Sequence, residues 1–454
     1  MEQEYKNKQG WVEFLIDSTE QFDVVIIGAG MSGIQSAYYL QRDCLDRSFI
    51  ILESRQDLGG TWDLFKYPGV RSDSYMYPYG YSFNQWPGTN EIANGNDIKN
   101  YIRQTAEKYN IDQRIRYNHK VTALEWKNDC WHISIENQPT ITSQFIMMCA
   151  GYFDYDTPHI PEIINRDRYI GKIIHPQHWP EVNYKNKDIT IIGSGATMVT
   201  LAPELAKQAK SVTVIQRSPG YTVSVPKQYH DSMYKQIWDD FKFWKYCRNN
   251  PIDAAKLLSR PGYDTPNYYP WEHRLCVTID NEFFDCVNGG KIKLITSLID
   301  SYVTDGVKLV TGQIIHSDIV VTATGLNIKL LGGINLIVND TSIDIYNSVF
   351  YRGTMFTGVP NLAVSFGYLN QSYTLRCNLI SKYVVRILNY MKEKNLRICI
   401  PDVDGLQSNL PLQSNYLTRI KDKWPSRDWE YSNNYFKEWV AFKFCDIEKG
   451  MIFK

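Results

Sequence analysis

Two glycine loops, each set between an apolar run and a helix-like stretch, constrain this chain more than any other feature. Gly28-Ala-Gly30-Met-Ser-Gly33 follows Asp23-Val-Val-Ile-Ile, and Gly193-Ser-Gly195-Ala-Thr-Met198 follows Asp188-Ile-Thr-Ile-Ile, 165 residues later. Apolar runs without alternation read as strands buried on both faces, as in parallel sheets covered by helices. Ser32 to Gln41 and Thr197 to Lys210 supply the helices, and Ser48 to Glu53 and Ser211 to Arg217 supply the next strands. Two βαβ units result. Two more runs ending in glycine turns, Phe145 to Gly151 and Asp318 to Gly325, read as further buried strands. The order of units predicts an α/β chain with two Rossmann-like dinucleotide-binding domains, the second inserted in the first.

The chemistry of the loops follows from what their positions demand. Gly28, Gly30 and Gly33 allow the tight turn, the approach of a pyrophosphate to backbone N–H groups, and close helix packing. Glu53 stands 20 residues beyond Gly33 at the end of the next strand, where a carboxylate accepts ribose hydroxyls and repels a 2′-phosphate. In the second loop Gly193, Gly195, Ala196 and Thr197 keep the pattern. Met198 departs from it at the third small position, so its side chain must displace the helix or find a groove. Gln216-Arg217-Ser218 occupies the place of Glu53, and a guanidinium with a hydroxyl suits a 2′-phosphate. The competing readings are a glycine turn that binds nothing and an ordinary surface Arg217. One acidic and one basic ribose position imply two cofactors exchanging a hydride, most simply FAD at Glu53 and NADP(H) at Arg217.

Composition excludes several classes. The 49 basic side chains cancel 49 acidic ones, leaving no net field to hold nucleic acid or an anionic membrane. Nine scattered cysteines lack both a disulfide framework and zinc-like spacing, so no metal site and a reducing compartment are expected. Met1 to Asp17 mixes charge throughout, without a leader or an integral membrane segment, and a cytoplasmic enzyme is expected. Aromatics make up 14% of the chain. This suits apolar cavities, though heavy tyrosine use on surfaces and strands accounts for it equally. Tyr75, Tyr77, Tyr79, Tyr81 and Phe83 would share one side if extended, as a cavity wall or, preferably, as packing; Pro78 and Gly80 interrupt a regular strand.

Leu58-Gly59-Gly60-Thr61-Trp62, then Tyr67-Pro-Gly-Val-Arg-Ser-Asp73, lie beyond the first unit, and Tyr169-Ile-Gly171-Lys-Ile-Ile-His175-Pro-Gln-His-Trp179-Pro180 lies between the two. This last stretch resembles the fingerprint F-x-G-x-x-x-H-x-x-x-W-P of the type I Baeyer–Villiger monooxygenases, class B flavoproteins, with Tyr169 in place of the first Phe. Gln216-Arg-Ser-Pro, Pro270-Trp-Glu-His-Arg-Leu-Cys276 and Thr322-Ala-Thr-Gly-Leu326 resemble the branch containing the mycobacterial ethionamide-activating monooxygenase. The likeness runs from about Gln21 to a helix expected over Thr374 to Lys394, and more loosely beyond. It implies Gly60, Thr61, Trp62 and Asp73 at the flavin, Arg274 as the active-site arginine with Asp73 as its carboxylate partner, and Gly171, His175 and Trp179 as conformational residues of the interdomain region. A general acid or base role for His175 is the weaker reading. His273, where relatives often carry Lys or Gln, and His178 have lesser claims.

The expected domains are 1–153 as the first part of an FAD-binding domain, 154–320 as an NADP-binding domain with helical decoration at about 226–275, and 321–454 as the second FAD-binding part with a tail of loops and short helices. The resemblance implies an FAD-containing, NADPH-dependent monooxygenase that inserts one atom of O2 beside a ketone carbonyl through a C4a-peroxyflavin, giving an ester or lactone. Its substrate would be a small uncharged ketone, with sulfides or thioamides as a second class. The rival readings are an N- or S-oxygenating flavin monooxygenase and a degenerate flavoprotein acting as an NADPH oxidase.

Overall fold

The computed structural model describes residues 19–228, 232–404, 425 and 434–454, with only the backbone of 6–7, 10–11, 233–234 and 426–427. The expectations for Met1 to Asp17, and for most of the tail beyond 404, fall outside the described residues.

Two parallel-rich sheets carry the fold. In the larger, Phe49–Leu52, Gln21–Ile27 and Ile141–Met148 run parallel side by side, and Leu362–Val364 adds to Ile141–Met148. An antiparallel meander of Val121–Lys127, Cys130–Ile135 and Ile141–Met148 extends the sheet. The smaller sheet is parallel throughout, in the order Lys172–Ile174, Ile319–Thr322, Asp188–Ile192, Ser211–Gln216, Ile292–Thr296. Its strands lie in the sequence between Met148 and Leu362 of the larger sheet, so the second unit is inserted in the first. The crossing strands Phe153–Pro158 and Leu326–Ile328 pair antiparallel, which sets the outgoing and returning chain side by side.

Burial explains the apolar runs. Val24, Val25 and Ile26 are fully buried because helices cover one sheet face and a second apolar cluster covers the other. The helix Met31–Asp43 packs on the 21-residue helix Tyr373–Glu393. Small polar residues let the two approach, and Ser36 Oγ lies 3.1 Å from Ser381 Oγ. The helical segment about 226–275 contains Met233–Asn249 and Pro251–Leu258.

Two alternatives left open by the sequence are decided, packing for Tyr81 and Phe83 and a groove for Met198. The aromatics from Tyr75 do not form an extended wall, because Met76–Tyr79 is a single helical turn. Tyr81 and Phe83 stack at 5.0 Å within the core, and Phe83 stacks on Tyr38 at 3.6 Å. Met198 has found its groove: it is 3% exposed, within the apolar cluster of the smaller domain.

The glycines of the two loops are not equivalent. A Cβ on Gly33 would stand 1.9 Å from the Gly28 carbonyl oxygen, whereas one on Gly195 would meet nothing within 4 Å. Gly33→Ala is therefore expected to lower stability by about 2–3 kcal/mol, against the gain an alanine normally brings inside a helix. Gly195→Ala should stay within about 1 kcal/mol. Thermal unfolding of the two variants checks this, and equal Tm values would overturn it.

Candidate active site

The first glycine loop forms one wall of a cleft. Gly28 has φ +105°, and a Cβ there would lie 2.6 Å from the Cys149 carbonyl oxygen, so the turn requires glycine. Gly30 caps the helix Met31–Asp43 without a side-chain hydrogen bond, which leaves backbone N–H groups at the positive end of the helix dipole for an anion. Gly30 and Gly60 face each other closely: a Cβ on Gly60 would come 3.3 Å from the Gly30 Cα. Gly60 caps the short helix Thr61–Leu64, and Trp62 Nε1 donates to the Tyr79 hydroxyl at 2.8 Å.

Glu53 follows Phe49–Leu52 and is 5% exposed. Burial raises its pKa, opposed by the donors around it. Its Oε2 accepts from the Ala29 N–H at 2.7 Å and its Oε1 from the Arg55 N–H at 3.0 Å. Oε1 also accepts from the Ser54 hydroxyl at 3.3 Å, so Oε2 is the oxygen that retains acceptor capacity, and Glu53 lines the cleft.

The cleft has a volume of about 400 Å³, and Gly28, Gly30, Glu53, Gly60, Thr61, Trp62, Asp73 and Arg274 all border it. Arg274 Nη2 donates to Asp73 Oδ1 at 3.0 Å, although the two are separated by 201 residues. Their side chains are 32% and 36% exposed, so the pair is reachable and still aimed. Two residues from Arg274's partner, nearly buried Arg71 pairs with Glu282, on the helix Glu282–Asn288 of the inserted domain. The segment from Tyr67 to Asp73 thereby bridges the two domains.

The second loop forms a separate locus. Gly193 has φ +138°, and a Cβ would lie 2.2 Å from the Ala323 carbonyl oxygen. Gly195 caps the helix Ala196–Leu205, with Ala196 and Thr197 in its first turn. Arg217, beyond Ser211–Gln216, is exposed and makes no hydrogen bond or ion pair with the described residues, and Ser218 beside it is half-buried. Burial depresses His273, and Arg217 adds to the effect from nearby. None of Gly193, Gly195, Arg217 or Ser218 borders the first cleft.

The stretch 169–180 occupies the seam between the domains. Gly171 admits no side chain, since a Cβ would meet Tyr169 Oη at 2.3 Å and the Asp318 carbonyl oxygen at 2.6 Å. Tyr169 can stand for Phe because its hydroxyl donates to the Ser317 carbonyl oxygen at 3.0 Å. Trp179 packs on the core of the inserted domain. His175 Nδ1 accepts from the Gln177 N–H at 3.1 Å, which leaves Nε2–H to donate to the Gly325 carbonyl oxygen at 3.2 Å. Burial lowers its pKa to about 4. Near neutral pH it is an uncharged imidazole with both nitrogens engaged, tying its own stretch to the turn before Leu326–Ile328. His178 Nε2 contacts the Asp156 carbonyl oxygen at 3.2 Å.

Several cleft residues had escaped sequence reasoning. The Tyr155 hydroxyl lies 3.0 Å from Thr61 Oγ1. Lys329 pairs with Asp156 at 3.3 Å and Asp154 at 3.5 Å. Tyr373 opens the long helix, and its buried hydroxyl has no partner among the described residues; an orphaned phenol facing a cleft fits an incoming acceptor. The only sequence signal for these was adjacency: Tyr155 and Lys329 lie a few residues beyond the glycine turns Gly151 and Gly325. Among the described residues there is no group of side chains suited to a metal ion and no helix long and apolar enough to cross a membrane.

Residues 25–242 match the family described as pyridine nucleotide-disulphide oxidoreductases. The FAD-containing monooxygenase EthA of Mycobacterium tuberculosis is 37% identical to this chain, covering 92% of it and 95% of EthA. The probable FAD-binding monooxygenase AlmA of Acinetobacter baylyi is 35% identical, covering 95% of this chain and 96% of AlmA. Among solved structures, cyclohexanone monooxygenase from Rhodococcus sp. Phi1 bound to NADP+ has a TM-score of 0.76 at 17% identity, covering 96% of this chain and 100% of that one. OTEMO in complex with FAD and NADP has a TM-score of 0.74 at 20% identity, covering 95% of this chain and 99% of that one. These structures share the fold.

Proposed function

Because the chain belongs to the family of FAD-containing monooxygenases that includes mycobacterial EthA, we propose that it is an NADPH-dependent Baeyer–Villiger enzyme, converting a small uncharged ketone to an ester or lactone with one atom of O2. Sulfides and thioamides form the second substrate class. The observation that carries this reading is the Arg274–Asp73 pair, set in the same cleft as the first glycine loop.

The residues present fit FAD in that cleft and NADPH at the second loop. The Gly30–Gly60 approach leaves backbone facing the cleft, Glu53 offers a ribose acceptor, and the orphaned Tyr373 hydroxyl offers a donor. The open space at Gly195 and the unengaged Arg217 suit the pyrophosphate and 2′-phosphate of NADPH. Bound flavin supplies the hydride acceptor and the oxygen-activating centre. Arg274 stabilises the negative charge that builds on oxygen near the substrate carbonyl, and Asp73 fixes the plane of its fork. Neutral His175, bonded to Gly325 beside the returning crossing while its neighbour Gln177 holds Asp154 on the outgoing one, sets the position of one domain against the other rather than moving a proton. On this reading the FAD-binding parts are 1–153 and 321–454, and the NADP-binding part is 154–320.

NADPH oxidation by the purified yellow protein, screened over cyclic ketones and aryl sulfides with product identification, tests the proposal. Ester or lactone formation with substrate-stimulated NADPH consumption is expected. Sulfoxides without ester from any ketone would assign the protein to N- and S-oxygenation. Consumption of NADPH that no substrate stimulates would make it an oxidase.

A further inference from the structure

The short helix Tyr435–Phe444 has two unlike faces. Tyr435, Glu438 and Phe442 are buried, and Glu438 is held from below: the fully buried Arg376 donates to it at 2.8 Å, and the Tyr368 hydroxyl at 2.9 Å. This anchorage fixes what the helix presents outward. Phe436, Lys437, Trp439, Val440, Lys443 and Phe444 fall on the remaining arc at 100° per residue. Trp439 is 40% exposed, Val440 50% and Phe444 66%. The only acid of the helix is the buried one.

This face continues onto the helix Met233–Asn249. The Trp238 ring meets Phe436 at 5.3 Å and Phe241 meets it at 5.9 Å, and Trp238 is itself 45% exposed. Each exposed indole carries a lysine: Lys242 lies 5.2 Å from the Trp238 ring and Lys443 4.8 Å from the Trp439 ring. Of the two acids on Met233–Asn249, Asp239 pairs with Lys235 at 3.3 Å, and Asp240 lies within electrostatic reach of Arg274.

We propose that this aromatic and lysine-bearing face docks the protein on the surface of an anionic lipid bilayer, without spanning it. Tryptophan and phenylalanine beside lysine is the chemistry of interfacial helices: rings enter the headgroup boundary while ammonium groups meet lipid phosphates. A second copy of this chain is the weaker occupant. A two-fold contact would set Lys437 and Lys443 against the equivalent lysines, and lysine is depleted from the cores of protein interfaces. Overall neutrality of the chain does not oppose the docking, because screening confines the effective field to about 8 Å, so the lysines of the patch act locally.

Flotation of the FAD-loaded protein with vesicles tests this. Expected is strong flotation with phosphatidylcholine vesicles containing phosphatidylserine, and at least ten-fold less with pure phosphatidylcholine. The double variants Trp439→Ser/Phe444→Ser and Lys437→Glu/Lys443→Glu should each lose flotation by ten-fold or more while retaining flavin absorbance, since all four side chains are exposed. No flotation, equal flotation on both vesicle types, or flotation that the variants leave intact overturns the proposal. A dimer that the serine variant dissolves, with no lipid binding, assigns the face to self-association instead.

Discussion

An Arg274→Ala enzyme is expected to keep its flavin and lose oxygenating activity by on the order of 10²–10³-fold, the cost of removing one preorganised charge stabiliser. The fold should tolerate the change. Arg274 and Asp73 are each about a third exposed, so Asp73 keeps access to water when its partner is gone. Flavin retention follows because the first glycine loop and Glu53 stand on the larger sheet, in the other domain. Arg274→Lys should recover only part of the loss, since an ammonium restores the charge without the planar fork that Asp73 holds. Bound flavin measured by absorbance, set against ester formed per NADPH consumed, reads both sides of the expectation. Normal ester formation by Arg274→Ala would show that another cation serves the site, and Lys329, on the same cleft, would be the next to replace.

The second large effect concerns the choice of nicotinamide cofactor. Arg217→Ala should raise KM for NADPH by about 10- to 100-fold, as expected for loss of hydrogen bonds to a charged group worth about 1.5–3 kcal/mol. KM for NADH should move by no more than about two-fold. The asymmetry is the point of the experiment. Arg217 is exposed and has no hydrogen bond or ion pair among the described residues, so its removal disturbs no protein contact that would weaken both cofactors together. Equal losses for NADPH and NADH would take the 2′-phosphate away from Arg217, whatever the reaction proves to be.

The two expectations rest on different kinds of legibility. Arg217 was visible in the sequence because its place is counted along a local pattern of strand, glycine loop, helix and strand. The helices expected at Ser32 to Gln41 and Thr374 to Lys394 occur as Met31–Asp43 and Tyr373–Glu393, since apolar spacing within one element reports its buried face directly. In the aromatic run from Tyr75, Pro78 and Gly80 break the spacing, and the preferred reading, packing, holds for Tyr81 and Phe83. Period-two spacing also arises by chance, and the helical turn Met76–Tyr79 placed Tyr79 by the cleft while Tyr81 and Phe83 went into the core. Of the meander over residues 121–148 only the buried end from Phe145 was read, because its alternating strands are held by partners outside any glycine loop.

What the sequence determined by itself was the pair of dinucleotide units, one nested in the other, and the sign of charge after the second strand of each, Glu53 and Arg217. These follow from backbone sterics and burial within stretches of a few tens of residues. The tertiary structure decided the geometry in which Arg274 meets Asp73, that His175 stays neutral with both nitrogens occupied, and that Tyr373 brings to the cleft a hydroxyl without a partner among the described residues. Each depends on packing between segments far apart in the chain. No local periodicity encodes such contacts, since the side chains concerned are placed by the docking of two sheets rather than by the element on which they stand.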